Sequence, residues 1–332
     1  MASIPLTRSQ FLLPFVGLLD EWGAPTESLL EKARLPVSLE TKSDLYVPVL
    51  PAIRFIESAQ NSQGIKDFGF LASQRLHFSH LREKTRALIA HSPTLLVALR
   101  HACNEALRED TILSMWIEHD KDHVRVCSKL AITKEFQNLE HAQWLQNIFS
   151  IYIVRQFTGP NWTPSTMAFE AHYMPSEATH TFWPNVRFLS GQHASWISIP
   201  ISCLSLSNRS TVSFNFAPDL EDGPSGYDIV ELLKLMLPSY LDGGVPTLAE
   251  IAEMAGVSTR TFQRKLANVD FVYSDILDAV RFERSSTLLR DTDSKIIDIA
   301  FAAGYSDPAH FTRAFRRIAG VAPRQFREQS RL

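Results

Sequence analysis

Two clusters near the end of the chain hold arginines at spacings that place them on one side of a helix. Arg260, Gln263 and Arg264 are three and four residues apart, and so are His310, Arg313 and Arg317, with Arg316 beside them. Guanidinium and carboxamide groups are the side chains that hydrogen-bond bidentately to guanine and adenine edges in a DNA major groove. On a single helix the pattern is an ordinary solvated face, and what separates these two from that reading is the stretch preceding each.

The segment 248–258, LAEIAEMAGVS, returns at 296–306 as IIDIAFAAGYS. Identical positions are Ile251/Ile299, Ala252/Ala300, Ala255/Ala303, Gly256/Gly304 and Ser258/Ser306, and an acidic residue, Glu250 or Asp298, precedes the shared isoleucine. The small alanine lets a second helix cross closely over the first. Gly256 and Gly304 can take the left-handed conformation that ends a helix in a short turn. Val257 or Tyr305 fills the corner, and Ser258 and Ser306 are expected to cap the following helix. This spells helix-turn-helix twice. In the first recognition helix Phe262 and Leu266 face inward, and Thr259, Arg260, Gln263 and Arg264 face outward. In the second, Phe311, Phe315 and Ile318 form the expected buried stripe, Pro308 is tolerated in the first turn, and Ala309, His310, Arg313, Arg316 and Arg317 are the outward set.

The elements that must position these faces follow from periodicity. Between the units, 274–290 reads as one helix, roughly 25 Å long at 1.5 Å per residue, able to hold two recognition helices about one DNA turn (~34 Å) apart. The clearest composition break is 218–226, polar and rich in Gly and Pro. A helix is expected over 227–241, with Pro238 shortening its last turn. This gives three regions: 1–217, a linker with connecting helix at 218–242, and 243–332, the last expected to bind the same DNA alone, though more weakly than the whole chain. Residues 1–217 read as mixed α and β. Helices are expected around 55–59 and 95–106, a hairpin over 111–130 with a charged turn at 118–123, a long amphipathic helix over 136–157, and strands at 168–172 and 196–201. The 136–157 helix is the candidate dimer contact, and Trp116, Trp144, Phe169, Trp183, Phe188 and Trp196 are core aromatics or pocket lining.

Length and composition bound the alternatives. The chain has 332 residues, 45% hydrophobic and 21% charged, enough for a core in each of two domains. Its net charge of -3 hides 13 Lys+Arg against 11 Asp+Glu from residue 243 onward. No apolar stretch reaches the ~20 residues of a membrane span, and the apolar run near the N-terminus reads as a helix, not a leader. Three scattered cysteines without C-x-x-C argue against a disulfide framework or zinc ribbon and for a reducing cytoplasm. His119 and His123 are four apart, but a hairpin turn scatters such ligands, so no metal and no cofactor is expected. His77 and His80 read as surface or packing residues. No nucleophile-elbow, zincin or phosphate-loop pattern occurs, so the chain reads as a binder and not an enzyme.

Residues 247–329 resemble the DNA-binding domain of the AraC/XylS family, through both units, the linking helix, the stretch 299–317 and the closing GVAPRQF at 320–326. The resemblance implies base reading by Arg260, Gln263 and Arg264 in the first unit and by Ala309, His310 and Arg313 in the second. Pro308 and Ala309 offer no side-chain hydrogen bond, so the second unit is expected to read fewer bases. Residues 186–204 carry a resemblance to the arabinose-binding-type effector domain of a subset of that family, which does not make arabinose the ligand. The implied architecture is an α+β N-terminal effector and dimerisation domain followed by an all-α domain with two helix-turn-helix units joined by a linking helix. The implied partners are double-stranded promoter DNA, a second copy of the chain, a small-molecule effector and, for an activator, RNA polymerase, with no membrane. The alternative is an effector-independent regulator whose N-terminal domain only dimerises or binds a protein.

Overall fold

The computed structural model describes residues 4–39, 45–131, 138–208 and 227–330. The composition break at 218–226 therefore lies outside the described residues, as do residues 136 and 137 of the expected long helix. In chain order the elements are β1 (Leu6–Arg8), α1 (Leu13–Glu21), α2 (Thr26–Lys32), β2 (Tyr46–Pro48), α3 (Val49–Gln63), α4 (Phe68–Ser73), α5 (Glu83–Ala90), α6 (Leu95–Glu109), β3 (Leu113–Asp120) and β4 (His123–Leu130). There follow α7 (Glu140–Thr158), β5 (Thr166–Ala168), α8 (Glu177–Phe182), β6 (Arg187–Leu189), β7 (Ser195–Pro200), α9 (Ile229–Met236), α10 (Leu248–Met254), α11 (Thr259–Ala267), α12 (Tyr273–Asp291), α13 (Ile296–Ala302), α14 (Pro308–Ala319) and α15 (Pro323–Ser330). Two packing units result. One comprises Gln10–Leu29 and Ile53–Gly226, the other Met1–Ser9, Leu30–Ala52 and Tyr227–Leu332.

The first unit is a sheet and helices arranged around α7. Its described strands run in the order β3-β4-β7-β5-β6, antiparallel except for the parallel pair β5–β6. In the β3–β4 hairpin Asp120 pairs with His123, so the turn is only Lys121 and Asp122, with Lys121 left-handed at φ 54°. Most of the charged run 118–123 is thus strand and not loop. β5 spans Thr166–Ala168, earlier than the expected 168–172: the Ala168 carbonyl accepts from Asn147 Nδ2 and Ser195 Oγ, and the Gln192 amide bonds back to Phe169, so the chain leaves the ladder there. Trp144, Ile148, Ile151, Val154 and Phe157 of α7 are buried with His141, Gln143 and Asn147 beside them, as are Leu145 and Ile153 on its other side. Buried residues thus occupy most of the circumference of α7, and the half-buried Ala142, Gln146 and Phe149 follow one another along one side.

The second unit is helical apart from the antiparallel ribbon β1–β2. Asp228 caps α9 by accepting from the Val230 and Glu231 amides, and Glu231 reaches back to the Asp228 amide. Pro238 lacks an amide hydrogen, and the α-helix gives way to a 3-10 turn over Leu237–Tyr240. Val230, Leu233, Met236, Leu237 and Leu241 then share a core with Ile251, Phe262, Leu266, Ile276 and Val280. Ile4, Leu6 and Tyr46 belong to the same core, so the N-terminal ribbon packs with the C-terminal helices despite its place in the chain. A separate core joins Leu289 to Ile299, Ala300, Ala303, Tyr305, Phe311 and Phe315. The three cysteines are free thiols, and no described helix is long and apolar enough to cross a membrane.

Candidate nucleic-acid interface

The first turn-and-helix forms as its residues dictate. Thr247 and Glu250 make a reciprocal capping box at the start of α10. Gly256 follows at φ 65°, and the Val257 amide closes the turn onto the Ala252 carbonyl at 2.9 Å. Ser258 caps α11, its Oγ accepting from the Thr261 amide at 3.2 Å. Phe262 and Leu266 are buried, Arg260, Gln263 and Arg264 are exposed, and Thr259 is half-buried.

The second unit departs from the first by one residue. Gly304 at φ 78° and the Tyr305 amide on the Ala300 carbonyl reproduce the turn. The cap, however, is Asp307 and not Ser306: Asp307 accepts from the amides of Ala309 at 3.0 Å and His310 at 3.1 Å. The reason is Pro308, which favours the first helical position and pushes the residue before it into extended geometry, here φ -132° and ψ 119°. The turn is therefore one residue longer, and Phe311 and Phe315 take the places of Phe262 and Leu266. The Ala309 amide, then the His310 amide and the Arg313 guanidinium, hold the Asp307 carboxyl below the usual aspartate value. That cap stays charged above the ordinary range and is lost only as pH falls through the lowered value. Accordingly, Ser258→Ala is expected to destabilise the chain by about 1 kcal/mol, and Ser306→Ala to change little. Urea unfolding of the two variants side by side checks this, and equal losses would mean that Ser306 contributes a cap as well.

Ala309, His310, Arg313, Arg316 and Arg317 are exposed. They are not equally free. His310 stands edge-on to the Tyr305 ring, with centroids 5.5 Å apart. Arg313 is 4.0 Å from Asp307. Arg317 is ion-paired with Asp278 of α12, which draws it toward the linking helix. Ile318, expected in the buried stripe, is 43% exposed. The core ends at Phe315, which Phe282 and Phe326 cover at centroid separations of 5.0 and 5.3 Å, and the last turn of α14 runs past it.

The linking helix α12 does more than span a distance of ~27 Å. Ile276 and Val280 lie in the first unit's core, while Leu289, with Leu288 and Phe282 beside it, serves the second. Arg281, between them, donates from Nη2 to the Gly304 carbonyl at 2.7 Å and lies 4.6 Å over the Tyr305 ring. A Cβ at Gly304 would stand 3.0 Å from the Leu241 carbonyl, so this glycine serves close approach as well as positive φ, whereas Gly256 has open space around it. Arg281 is legible in the sequence as a spaced position of the linking helix but not as a clamp, and Asp278 carries no mark beyond its three-residue spacing from it.

Residues 251–329 match the family model of a helix-turn-helix domain, and residues 23–207 match that of the arabinose-binding domain of AraC transcription regulator, N-terminal. Among curated proteins, the chain is similar to the HTH-type transcriptional regulator VqsM of Pseudomonas aeruginosa, 33% identical over 115 residues, 35% of this chain and 34% of VqsM. It is also similar to the transcriptional activator NphR of Rhodococcus sp, 36% identical over 103 residues, 31% of this chain and 30% of that protein. The matched stretches thus span about a third of the length of these relatives. Among solved structures, the transcriptional regulator CdpR from Pseudomonas aeruginosa is 18% identical, covering 93% of this chain and 98% of that one at a TM-score of 0.37.

Proposed function

The chain belongs to the family of AraC transcription regulators, and from that premise we propose that it is a sequence-specific DNA-binding regulator of transcription controlled by a small molecule. What supports DNA reading is that one packing unit carries two recognition helices, each with an exposed basic face, clamped to a shared helix. Arg260, Gln263 and Arg264 read base edges in one major groove, and Ala309, His310 and Arg313 do so in the next. Thr259, Arg316 and Arg317 contact the backbone, with Arg317 oriented by Asp278. Residues 243–332 hold both reading units, the 218–242 region contributes its helical part to the first unit's core, and 1–217 supply sensing and dimerisation, apart from Ile4, Leu6 and Tyr46, which join that core. A homodimer lays four recognition helices along promoter DNA and, where it activates, meets RNA polymerase. The chain acts by binding and not by catalysis.

Arg264→Ala and Arg313→Ala are each expected to cost roughly 1–3 kcal/mol of specific binding and to relax preference at one base pair. Titration against a panel of singly altered sites checks this, and equal loss on every sequence would make the residue a phosphate contact.

Effector control is supported by a cavity of about 290 Å³ in the first packing unit, bordered by Asp67, Glu140, His141, Trp144, Tyr173 and Met174. Burial holds His141 down to about 4, so its ring is neutral near pH 7. Its Nε2 is 2.9 Å from Gln60 Oε1, and the Trp144 ring stands edge-on to that of Tyr173 with centroids 6.2 Å apart, so polar-tipped rings border the cavity. A metabolite that fills this chamber changes DNA binding only through its different affinity for the two arrangements of the chain. Met174 is 79% exposed. Met174→Trp should abolish any metabolite-induced rise in melting temperature without lowering the basal value.

A further inference from the structure

Among the described residues, outside the DNA-reading faces and the effector chamber, one constellation joins three different metal-ligating side chains. Glu118 lies on β3 and Cys127 on β4. Cys127 is directly opposite Trp116 and, on its other side, Trp196, so Glu118, two residues beyond Trp116, is its diagonal neighbour on the same sheet face. His193 comes from the segment just before β7. The Glu118 carboxylate, the Cys127 Sγ and a His193 ring nitrogen all lie within 4.8 Å of one another, and His193 Nε2 is 3.4 Å from Glu118 Oε1. We propose that Glu118, Cys127 and His193 form a binding site for one zinc-class divalent cation.

The donor set carries the argument. Thiolate, imidazole and carboxylate are the three groups that proteins use for Zn²⁺, and together they bring two negative charges to a dication. At ordinary zinc bond lengths tetrahedral donors stand about 3.3–3.8 Å apart, so the triad closes with shifts of about 1 Å. Those shifts are available, because Cys127 is buried and fixed in the ladder whereas the His193 side chain is 55% exposed and can swing.

The surroundings orient the ligands. Trp116 Nε1 donates to Glu118 Oε1 at 2.7 Å, the kind of outer-sphere bond that aims a ligating carboxylate. Lys129 Nζ donates to the His193 carbonyl at 2.8 Å and pairs with Glu170 at 3.0 Å. The Gly191 and Gln192 amides bond back to Ala171 and Phe169, so the segment carrying His193 is pinned on both sides of the ring. Three protein ligands leave a fourth position open on the solvent side for water or a small ligand. Coordination displaces the Cys127 thiol proton to solvent.

His119 takes no part, since its side chain is on the opposite sheet face from that of its neighbour Glu118. The histidines that the local sequence offered are thus not the ones the fold supplies.

The test is titration of the full chain, stripped with chelator, with Zn²⁺ alone against a chromophoric competitor, and with Co²⁺ followed by absorption. One ion should bind per chain, with thiolate-to-cobalt charge transfer, and raise the melting temperature. Cys127→Ser should abolish the charge-transfer band, and His193→Ala should weaken Zn²⁺ at least about tenfold. His193 is exposed, so its variant keeps the proposal testable should Cys127→Ser fold poorly. Absence of stoichiometric binding, or binding that His193→Ala leaves unchanged, overturns the proposal.

Discussion

Inserting five base pairs between the two subsites read by one protomer is expected to reduce binding to its nonspecific level, a loss of about a thousandfold or more. Five pairs turn one subsite by about half a helical repeat, onto the opposite face of the duplex. The protein cannot follow. The two recognition helices α11 and α14 are seated on cores that share α12, and the second turn is held from that helix by Arg281 on the Gly304 carbonyl. Gly304 also abuts Leu241 and Val245 of the stretch leading into α10, so twisting one unit against the other would open both contacts. The same insertion between the sites of two protomers should cost less, because those sites are read by separate chains and not by two helices seated on one shared α12. Both operators should be compared by gel shift at one salt concentration, since phosphate contacts make affinity steeply salt-dependent. Tolerance of the insertion within one protomer's site would mean that the two units do not read one continuous sequence.

A fragment beginning at residue 243 is expected to lose the fold of its first helix-turn-helix unit, whereas one beginning at 227 should retain it in large part. This revises the expectation, drawn from both reading units lying there, that 243–332 binds by itself, though more weakly than the whole chain. Truncation at 243 removes Val230, Leu232, Leu233, Met236, Leu237, Tyr240 and Leu241 from the core that seats Ile251, Phe262 and Leu266. A single buried leucine cut to alanine costs about 2–5 kcal/mol, so losing this set exceeds the roughly 5–15 kcal/mol that stabilises a whole domain. The second unit draws its core from Leu289, Ile299, Phe311 and Phe315 and is spared. Circular dichroism melts of the two fragments, with DNA titrations alongside, decide the matter. Identical cooperative melting of both would show that α9 is dispensable.

How much of this was legible beforehand depended on distance along the chain. The duplicated turn was legible because its physics is local: a glycine at positive φ, a small alanine at a crossing and a four-residue apolar spacing all act within a dozen residues. The shift of the second cap to Asp307 was legible in principle too, since Pro308 constrains its neighbour by a steric rule that needs no tertiary structure. Strand limits around 168 were not, because the β5 ladder ends where side chains of α7 and β7 claim the Ala168 carbonyl.

The sequence by itself determined the two helix-turn-helix units, their outward arginines and the linking helix, since each is encoded in periodicity and in residues with narrow conformational choices. Only the tertiary structure decided what surrounds them. Ile4 and Leu6 complete the first unit's core, Arg281 fastens the second unit's turn, and Glu118 and Cys127 meet His193 from across the sheet. Apolar burial is non-directional, so an isoleucine near the N-terminus carries no mark of which core will take it. Ligand and clamp residues are likewise ordinary surface types until the fold brings distant segments within bonding range.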